Sequence, residues 1–372
     1  MKVALVYDRV NKWGGAERVL LALHGMFPDA PLYTSVYHPP TAGWAKEFTV
    51  KTSFLQHIPL AKNHHELFAL IMPLAFRSFS FDEYDLVISV TSEAGKGIVT
   101  RGRTKHICYL LTPTRYLWSG YNEYFKGFLL RFISFPLVWL LRIWDRKVAE
   151  NPDVIISISE EVRNRARKYY NRDSVVVYPP VSLAFGSLAL SGQLENKKLN
   201  AHKLNAKRSP YFLVVSRLVG YKRIDIAIEA CNMLKIPLKI VGSGAVEQEL
   251  KKIAGPTIEF LGNLTDSELV GYYKNCEALL FPGVEDFGLT MVEAMGLGKP
   301  VIVYRKGGAL EIVKEGETGE FFYPQTTKSL IAVLRKFDSK KYASSECIVQ
   351  AKKFDISLFK KSFEKIVKSV LV

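Results

Sequence analysis

Residues 281–295, FPGVEDFGLTMVEAM, are the stretch on which the fold turns. The apolar run EALLF at 277–281 reads as a buried parallel strand. Pro282 and Gly283 end it, and a short helix begins near Gly288 with Met291 and Met295 on one face. A loop that leaves a strand and enters a helix presents unpaired backbone N–H groups, and the helix dipole adds positive potential. A phosphate therefore suits Gly288 and Leu289. Two carboxylates frame that spot, Glu285 before the glycine and Glu293 a full turn into the helix. A phosphate would repel both, but they suit the hydroxyls of a sugar and a ribose on either side of it. Acidic residues near a helix start are also favoured by the dipole alone, so the element needs support from the rest of the chain.

Working outward, Pro282 to Met295 reads P-x-x-E-x-F-G-L-x-x-x-E-A-M. It is followed by G-x-P-V (Gly298, Pro300, Val301), G-G-x-x-E-I-V (Gly307 to Val313) and E-T-G (Glu317 to Gly319). Together these resemble the donor site of family 4 retaining glycosyltransferases, and the resemblance extends over nearly the whole chain. It implies the GT-B fold, an α/β architecture of two Rossmann-like doubly wound domains facing across a cleft.

Length and composition fit two such domains. At 372 residues the chain exceeds what one core usually supports, and 48% hydrophobic residues exclude a disordered protein. Cys108, Cys231, Cys276 and Cys347 are scattered, with neither C-x-x-C nor a Cys/His cluster, so they read as reduced core residues of a cytosolic protein. The N-terminal MKVALVYDRV is too short an apolar run for a signal peptide, and no uncharged run reaches the length of a membrane span. A net charge of +15 raises affinity for polyanions, including anionic bilayers and phosphorylated substrates. With no zinc-finger, RNP or helix-turn-helix signature, nucleic acid is not expected as a partner.

In the N-terminal half, Val3 to Tyr7 is a first strand, and WGGAER (13–18) is a glycine turn opening a helix over about 16–27. Gly14 and Gly15 let this loop bend toward a ligand, although an ordinary βα turn uses the same residues. The resemblance places them against the donor phosphates. Strands near 31–37, 85–90 and 106–110 continue an open parallel sheet. The aromatic loop LTPTRYLWSGYNEY (111–124) follows, at the carboxyl end of a strand, where an acceptor sugar is expected to meet Arg115, Tyr116 and Trp118. Its T-P-x-R-Y-L-W core is similar to bacterial mannosyltransferases that build O-antigen and exopolysaccharide. Leu111 and Ser119 depart from that pattern, which has histidine and aspartate there, and this leaves the transferred sugar open. His106, on the preceding strand, reads as structural. Residues 125–150 form the most apolar segment, interrupted by Arg131 and kinked or divided by Pro136. It is either a core helix with a broad buried face or a helix lying on a membrane.

A strand at 153–158, a basic helix at 159–170 with a solvated face (Arg163, Arg165, Arg167, Lys168) and a strand at 174–178 complete a first domain over 1–180. Pro179 and Pro180 mark the boundary, and 181–209 reads as a linker with a flexible insertion. The second domain, 210–355, opens with a strand ending at Arg217, with Lys222 at the mouth of the next helix. Two cations at a strand's carboxyl end suit a pyrophosphate, and S-R-L-x-x-x-K matches the family's phosphate-binding pair. The turn Gly242-Ser243-Gly244 lacks the third glycine of a dinucleotide fingerprint. The resemblance makes Asn263 and Leu264 contacts of the nucleotide base. An amphipathic helix at about 356–372, with Phe359, Phe363, Ile366 and Val367 on one face, is expected to cross back onto the first domain.

No D-x-D triplet occurs, so Arg217, Lys222 and helix N-termini are expected to carry the phosphate charge without a metal or other cofactor. Glu285 would hold sugar hydroxyls, Glu293 the ribose diol, and Phe287 to Leu289 the phosphate through backbone groups. The expected reaction transfers mannose from GDP-mannose, with retention, to a lipid-linked or polysaccharide glycan at the cytoplasmic membrane face. A catalytically silent nucleotide-sugar-binding subunit and a sugar-nucleotide epimerase remain alternatives. GDP against UDP is left open, because base choice rests on loop shape.

Overall fold

The structure, a computed structural model, describes residues 1–62, 65–183 and 210–371. The chain divides into two units, Met1–Pro180 with Ser357–Val372, and Val181–Ile356. The insertion read at 181–209 lies, from residue 184 onward, outside the described residues.

Unit 1 is built on strands β1 (Val3–Tyr7), β2 (Leu32–Thr34), β3 (Val50–Thr52), β4 (Leu86–Thr91), β5 (Lys105–Leu110), β6 (Val154–Ser157) and β7 (Val175–Val176). They pair in parallel in the order β3-β2-β1-β4-β5-β6-β7. Every residue of β1 and β4 is buried, which is why both read as continuous apolar runs rather than alternating ones. Helices α1 (Gly15–His24), α2 (Met72–Arg77), α3 (Tyr121–Tyr124), α4 (Phe128–Val148) and α5 (Glu160–Tyr170) join the strands.

Unit 2 repeats the plan. Strands β8 (Phe212–Val215), β9 (Leu238–Val241), β10 (Ile258–Gly262), β11 (Leu279–Phe281), β12 (Val301–Tyr304) and β13 (Gly319–Phe322) are parallel, in the order β10-β9-β8-β11-β12-β13. Its helices are α6 (Ile224–Leu234), α7 (Glu247–Ile253), α8 (Asp266–Asn275), α9 (Leu289–Gly296), α10 (Ala309–Ile312), α11 (Thr327–Leu334) and α12 (Ser344–Lys352). Val214, Ile226, Ile240, Leu280, Ile302 and Leu330 meet in one core between the sheet and its helices. The last helix, α13 (Ile356–Leu371), brings the chain back to unit 1, where Phe359 and Phe363 lie against the ring of Tyr109 on β5.

In both units the strand order reverses beside the first strand, between β1 and β4 and between β8 and β11. Loops that leave adjacent strands toward opposite sides open a crevice at the carboxyl edge there, where ligands of such sheets bind.

Three expectations change. Pro136 does not divide the 125–150 segment: α4 runs unbroken from Phe128 to Val148. A proline removes a single ladder bond, here to the Phe132 carbonyl, and the bonds on either side carry the helix through. Nor is α4 a core helix with a broad buried face. Among its described side chains the buried ones are the narrow stripe Val138, Leu141, Asp145 and Val148, and Phe128 is 85% exposed. The basic face of α5 is more than solvated, because Arg163 and Arg167 both reach Asp173 and Arg165 reaches Glu161. Those guanidinium groups, Arg167 first, hold the Asp173 carboxyl well below the usual range.

Candidate active site

At the strand reversal of unit 2, the loop after β8 carries Arg217 and Lys222 and the loop after β11 carries Glu285. Lys222 is buried, and its Nζ pairs with Glu285 Oε1. The rings of Tyr221 and Phe281 lie 5.1 and 5.8 Å from that ammonium. Gly283 makes this approach feasible, since a Cβ there would stand 2.9 Å from the Lys222 backbone. Arg217 is exposed at the rim and donates from Nη2 to the Tyr221 hydroxyl at 2.9 Å. The loop after β12 supports the carboxylate's backbone, with the Gly308 N–H donating to the Glu285 carbonyl at 2.9 Å. A lysine and a glutamate taken out of water together favour one another, and each would be costly to bury alone.

Gly288 then turns the chain into α9 with a left-handed φ of 112°, leaving Leu289 as the first helical residue. The Phe287 side chain is buried edge-on against Phe354, 5.3 Å between ring centroids, which fixes the backbone at the helix start. One turn on, Glu293 is half-buried and accepts from the Tyr273 hydroxyl of α8 at 3.0 Å. On the opposite side of β8, the Ser243 hydroxyl donates to Asn263 Oδ1 at 3.1 Å and the Gly242 N–H to the Gly262 carbonyl at 2.7 Å. The Gly242–Gly244 turn and the loop holding Asn263 and half-buried Leu264 therefore form one edge.

The remaining expected residues, Gly14, Gly15, Arg115, Tyr116 and Trp118, belong to unit 1. Gly14 is not a tight bend, because its φ of −178° is ordinary extended backbone. Its missing Cβ instead leaves room for Glu17, whose Oε2 would stand 3.2 Å from such an atom. Glu17 is itself buried and accepts from the Tyr7 hydroxyl at 2.6 Å. Gly15 is the first residue of α1.

The loop at 111–124 is gripped from α4 and α5. Asp145 is fully buried and binds Lys96 Nζ at 2.6 Å, the Thr114 hydroxyl at 2.9 Å, the Trp118 indole N–H at 2.7 Å and the Tyr170 hydroxyl at 2.8 Å. The Trp118 ring stacks on Tyr169 at 5.0 Å, with the guanidinium groups of Arg142 and Arg146 each 5.5 Å away, so it is engaged in packing. Arg142 Nε also donates to the Leu117 carbonyl at 2.6 Å. Burial pushes the Tyr116 hydroxyl well up, with the charge of Glu93 adding to it.

Several residues at the unit 1 reversal go unread in the sequence. Arg9 Nη1 meets Glu93 Oε1 at 2.5 Å, joining the loops after β1 and β4. Asp8 accepts from the Thr91 hydroxyl and from the N–H groups of Ser92, Glu93 and Gly95 at 2.7–3.0 Å. Burial, then the nearby Glu93, raises its carboxyl above the ordinary range. The available signals were a D-R pair directly after the first strand and a glutamate just after DLVISV. For Asp145 the signal was an acid in register with Val138, Leu141 and Val148. Among the described residues no group of three or more His, Cys, Asp or Glu side chains is arranged to hold a metal ion.

Comparison with known proteins adds to this geometry. Residues 196–354 match the family model described as Glycosyl transferases group 1. Curated relatives include the uncharacterized glycosyltransferase MJ1178 of Methanocaldococcus jannaschii, 27% identical, covering 48% of this chain and 47% of the relative. Another is the O-antigen chain mannosyltransferase C of Escherichia coli, 24% identical, covering 51% and 50%. The chain thus spans about half the length of these relatives. Among solved structures, Anabaena Alr3699/HepE in complex with UDP and glucose superposes with a TM-score of 0.72 at 20% identity, over 99% of this chain and 100% of that one. WaaG, a glycosyltransferase involved in lipopolysaccharide biosynthesis, gives 0.68 at 18% identity, over 97% and 98%. At such identities the likeness is one of fold, and that fold, two Rossmann-like parallel-sheet domains, is GT-B.

Proposed function

We propose that this chain is a retaining glycosyltransferase that moves a sugar from a nucleotide donor to a glycan without a divalent metal. The observation that carries the reading is the Lys222–Glu285 pair over the strand reversal of unit 2, with Glu285 three residues before Gly288, the cap of α9. Arg217 and Lys222 face the pyrophosphate and stabilise the charge that builds as the sugar leaves. Glu285 holds sugar hydroxyls and Glu293 the ribose diol, while backbone groups of Phe287 to Leu289 meet the phosphate at the helix start. Asn263 and Leu264 lie along the base, and Gly14 and Gly15 approach the donor phosphates. The bond from the anomeric carbon to the phosphate oxygen breaks as the bond to the acceptor oxygen forms on the same face, and the leaving phosphate takes the acceptor's proton. The Arg9–Glu93 reversal of unit 1 receives the acceptor with Arg115 and Tyr116, while Trp118 braces the loop that carries them.

The donor in this reading is GDP-mannose, supported by relatives named as mannosyltransferases, and the acceptor is a lipid-linked or polysaccharide glycan at an anionic membrane. UDP-glucose is a second reading, favoured by the Anabaena neighbour described in complex with it. Calorimetric titration with GDP, UDP, ADP and NAD, in chelator and then with magnesium, tests both. The expected result is GDP binding in chelator that Glu293→Ala weakens by at least about tenfold. Preference for UDP would replace the donor and keep the chemistry. Binding of none of the four would overturn the reading, and isomerisation of a nucleotide sugar without transfer would replace it with an epimerase.

A further inference from the structure

We propose that the first half of α4, together with the exposed leucines before and within α2, is a docking surface for an anionic lipid bilayer. Phe128, Leu129, Phe132, Ile133, Phe135 and Leu137 are all exposed, Phe132 to 70%. At about 100° per residue these six cover a little over half of the helix circumference, while Arg131 and half-buried Ser134 take the face that runs on into the stripe beginning at Val138. An exposed apolar face of that breadth marks a surface that something covers. Leu67, Leu70 and Leu74 are exposed as well. They stand on an element that neighbours the second half of α4, where Trp144 packs against the cluster that includes Met72, Ala75 and Phe76 of α2.

Charge selects the occupant. Lys126, Arg131, Arg142, Arg146 and Lys147 lie on or beside the helix, and of the segment's two acids Asp145 is buried against Lys96, leaving Glu150. A second copy of a chain carrying +15 would be repelled, whereas an anionic leaflet is attracted, by about fivefold in affinity for each cation at its surface. Length sets the mode of contact. The ten residues Phe128–Leu137 rise about 15 Å, half the roughly 30 Å of a hydrocarbon core. No described helix is long and apolar enough to cross a membrane. The segment therefore enters one leaflet and stops.

The same rigid helix carries Arg142 and Asp145, which hold Leu117, Thr114 and Trp118. Docking would bring the loop at 111–124 to the lipid headgroups. That link to a lipid-borne acceptor rests on the transferase reading, while the surface itself stands on exposure and charge.

Co-sedimentation of the full chain with phosphatidylcholine vesicles, and with vesicles of equal parts phosphatidylcholine and phosphatidylglycerol, tests the surface. The expected result is binding to the anionic vesicles that Phe128→Ser, Leu129→Ser, Phe132→Ser and Ile133→Ser in combination reduce by at least about tenfold. Lys126→Gln with Arg131→Gln is expected to reduce it by a further factor of about fivefold per cation. Unchanged vesicle binding by the apolar variant would overturn the proposal, as would vesicle-independent self-association that this variant abolishes. Nucleotide titration of the same variants separates the two readings. Vesicle binding without nucleotide binding leaves the surface and removes the transferase, and the converse removes the surface alone.

Discussion

His106 sits wholly buried on β5 with Nε2 2.8 Å from the Ser89 hydroxyl, and desolvation brings its imidazole down to about 3 against a small opposing pull from Asp153. Between about 6.5 and about 3 the unfolded chain binds a proton that the folded chain refuses. Stability therefore falls as pH falls through that window, by up to about 1.4 kcal/mol per pH unit, and this contribution levels off below it. Urea unfolding at several pH values between about 4 and about 7 is expected to show a shallower acid loss for His106→Gln than for the parent chain. An equal slope would mean that other groups account for the acid sensitivity. The structural role of His106 was readable because a histidine within an apolar strand has little else to do. Arg9 and Glu93 were not readable, since each acquires meaning only from a partner 84 residues away. Lys222 and Glu285 could be picked out as candidates because each stands in a loop at a strand's carboxyl end, within S-R-L-x-x-x-K and P-x-x-E-x-F-G, but their pairing with one another could not.

Among the elements, α4 joins two environments. Its first half is exposed and its second half holds the Lys96–Asp145 pair, in which both side chains are almost wholly buried. Asp145→Asn keeps the shape but strands the ammonium of Lys96, so a loss of about 3–5 kcal/mol is expected in urea unfolding. The double variant Lys96→Met with Asp145→Asn is expected to recover part of it, because the stranded ammonium is gone while the amide oxygen still accepts from the loop, and additive losses would show that the pair is not the source. Strands were legible wherever an apolar run ended in glycine, proline or a charge, as at Phe281, because burial on both sides of a sheet forces that composition. Hydropathy could not say what α4 faces. Apolar residues in a core and apolar residues awaiting a lipid spell the same sequence, and only exposure separates them.

At the scale of the molecule, two sheets with the same order of first six strands each place a cation beside a carboxylate at the reversal, Arg9–Glu93 and Lys222–Glu285. Unit 1 draws its core from both ends of the chain: Phe363, fully buried, and Phe359 pack on Tyr109. Phe363→Ala is expected to lower the stability of unit 1 by about 3–5 kcal/mol. In calorimetry this should separate the melting of the two units, with the transition of unit 2 unmoved. A joint downward shift of both transitions would mean that the two units melt as one.

The return of α13 to unit 1 also orders events during synthesis. The first 180 residues emerge from the ribosome long before the helix that covers Tyr109, and at about 5–20 residues per second the wait is on the order of ten to forty seconds. Through that interval the newborn unit lacks the helix that covers its aromatic patch, and every strand of unit 2 is synthesised within it. The finished protein thus closes its oldest part last, and a nascent chain stalled before residue 357 would display a surface that the mature molecule never presents.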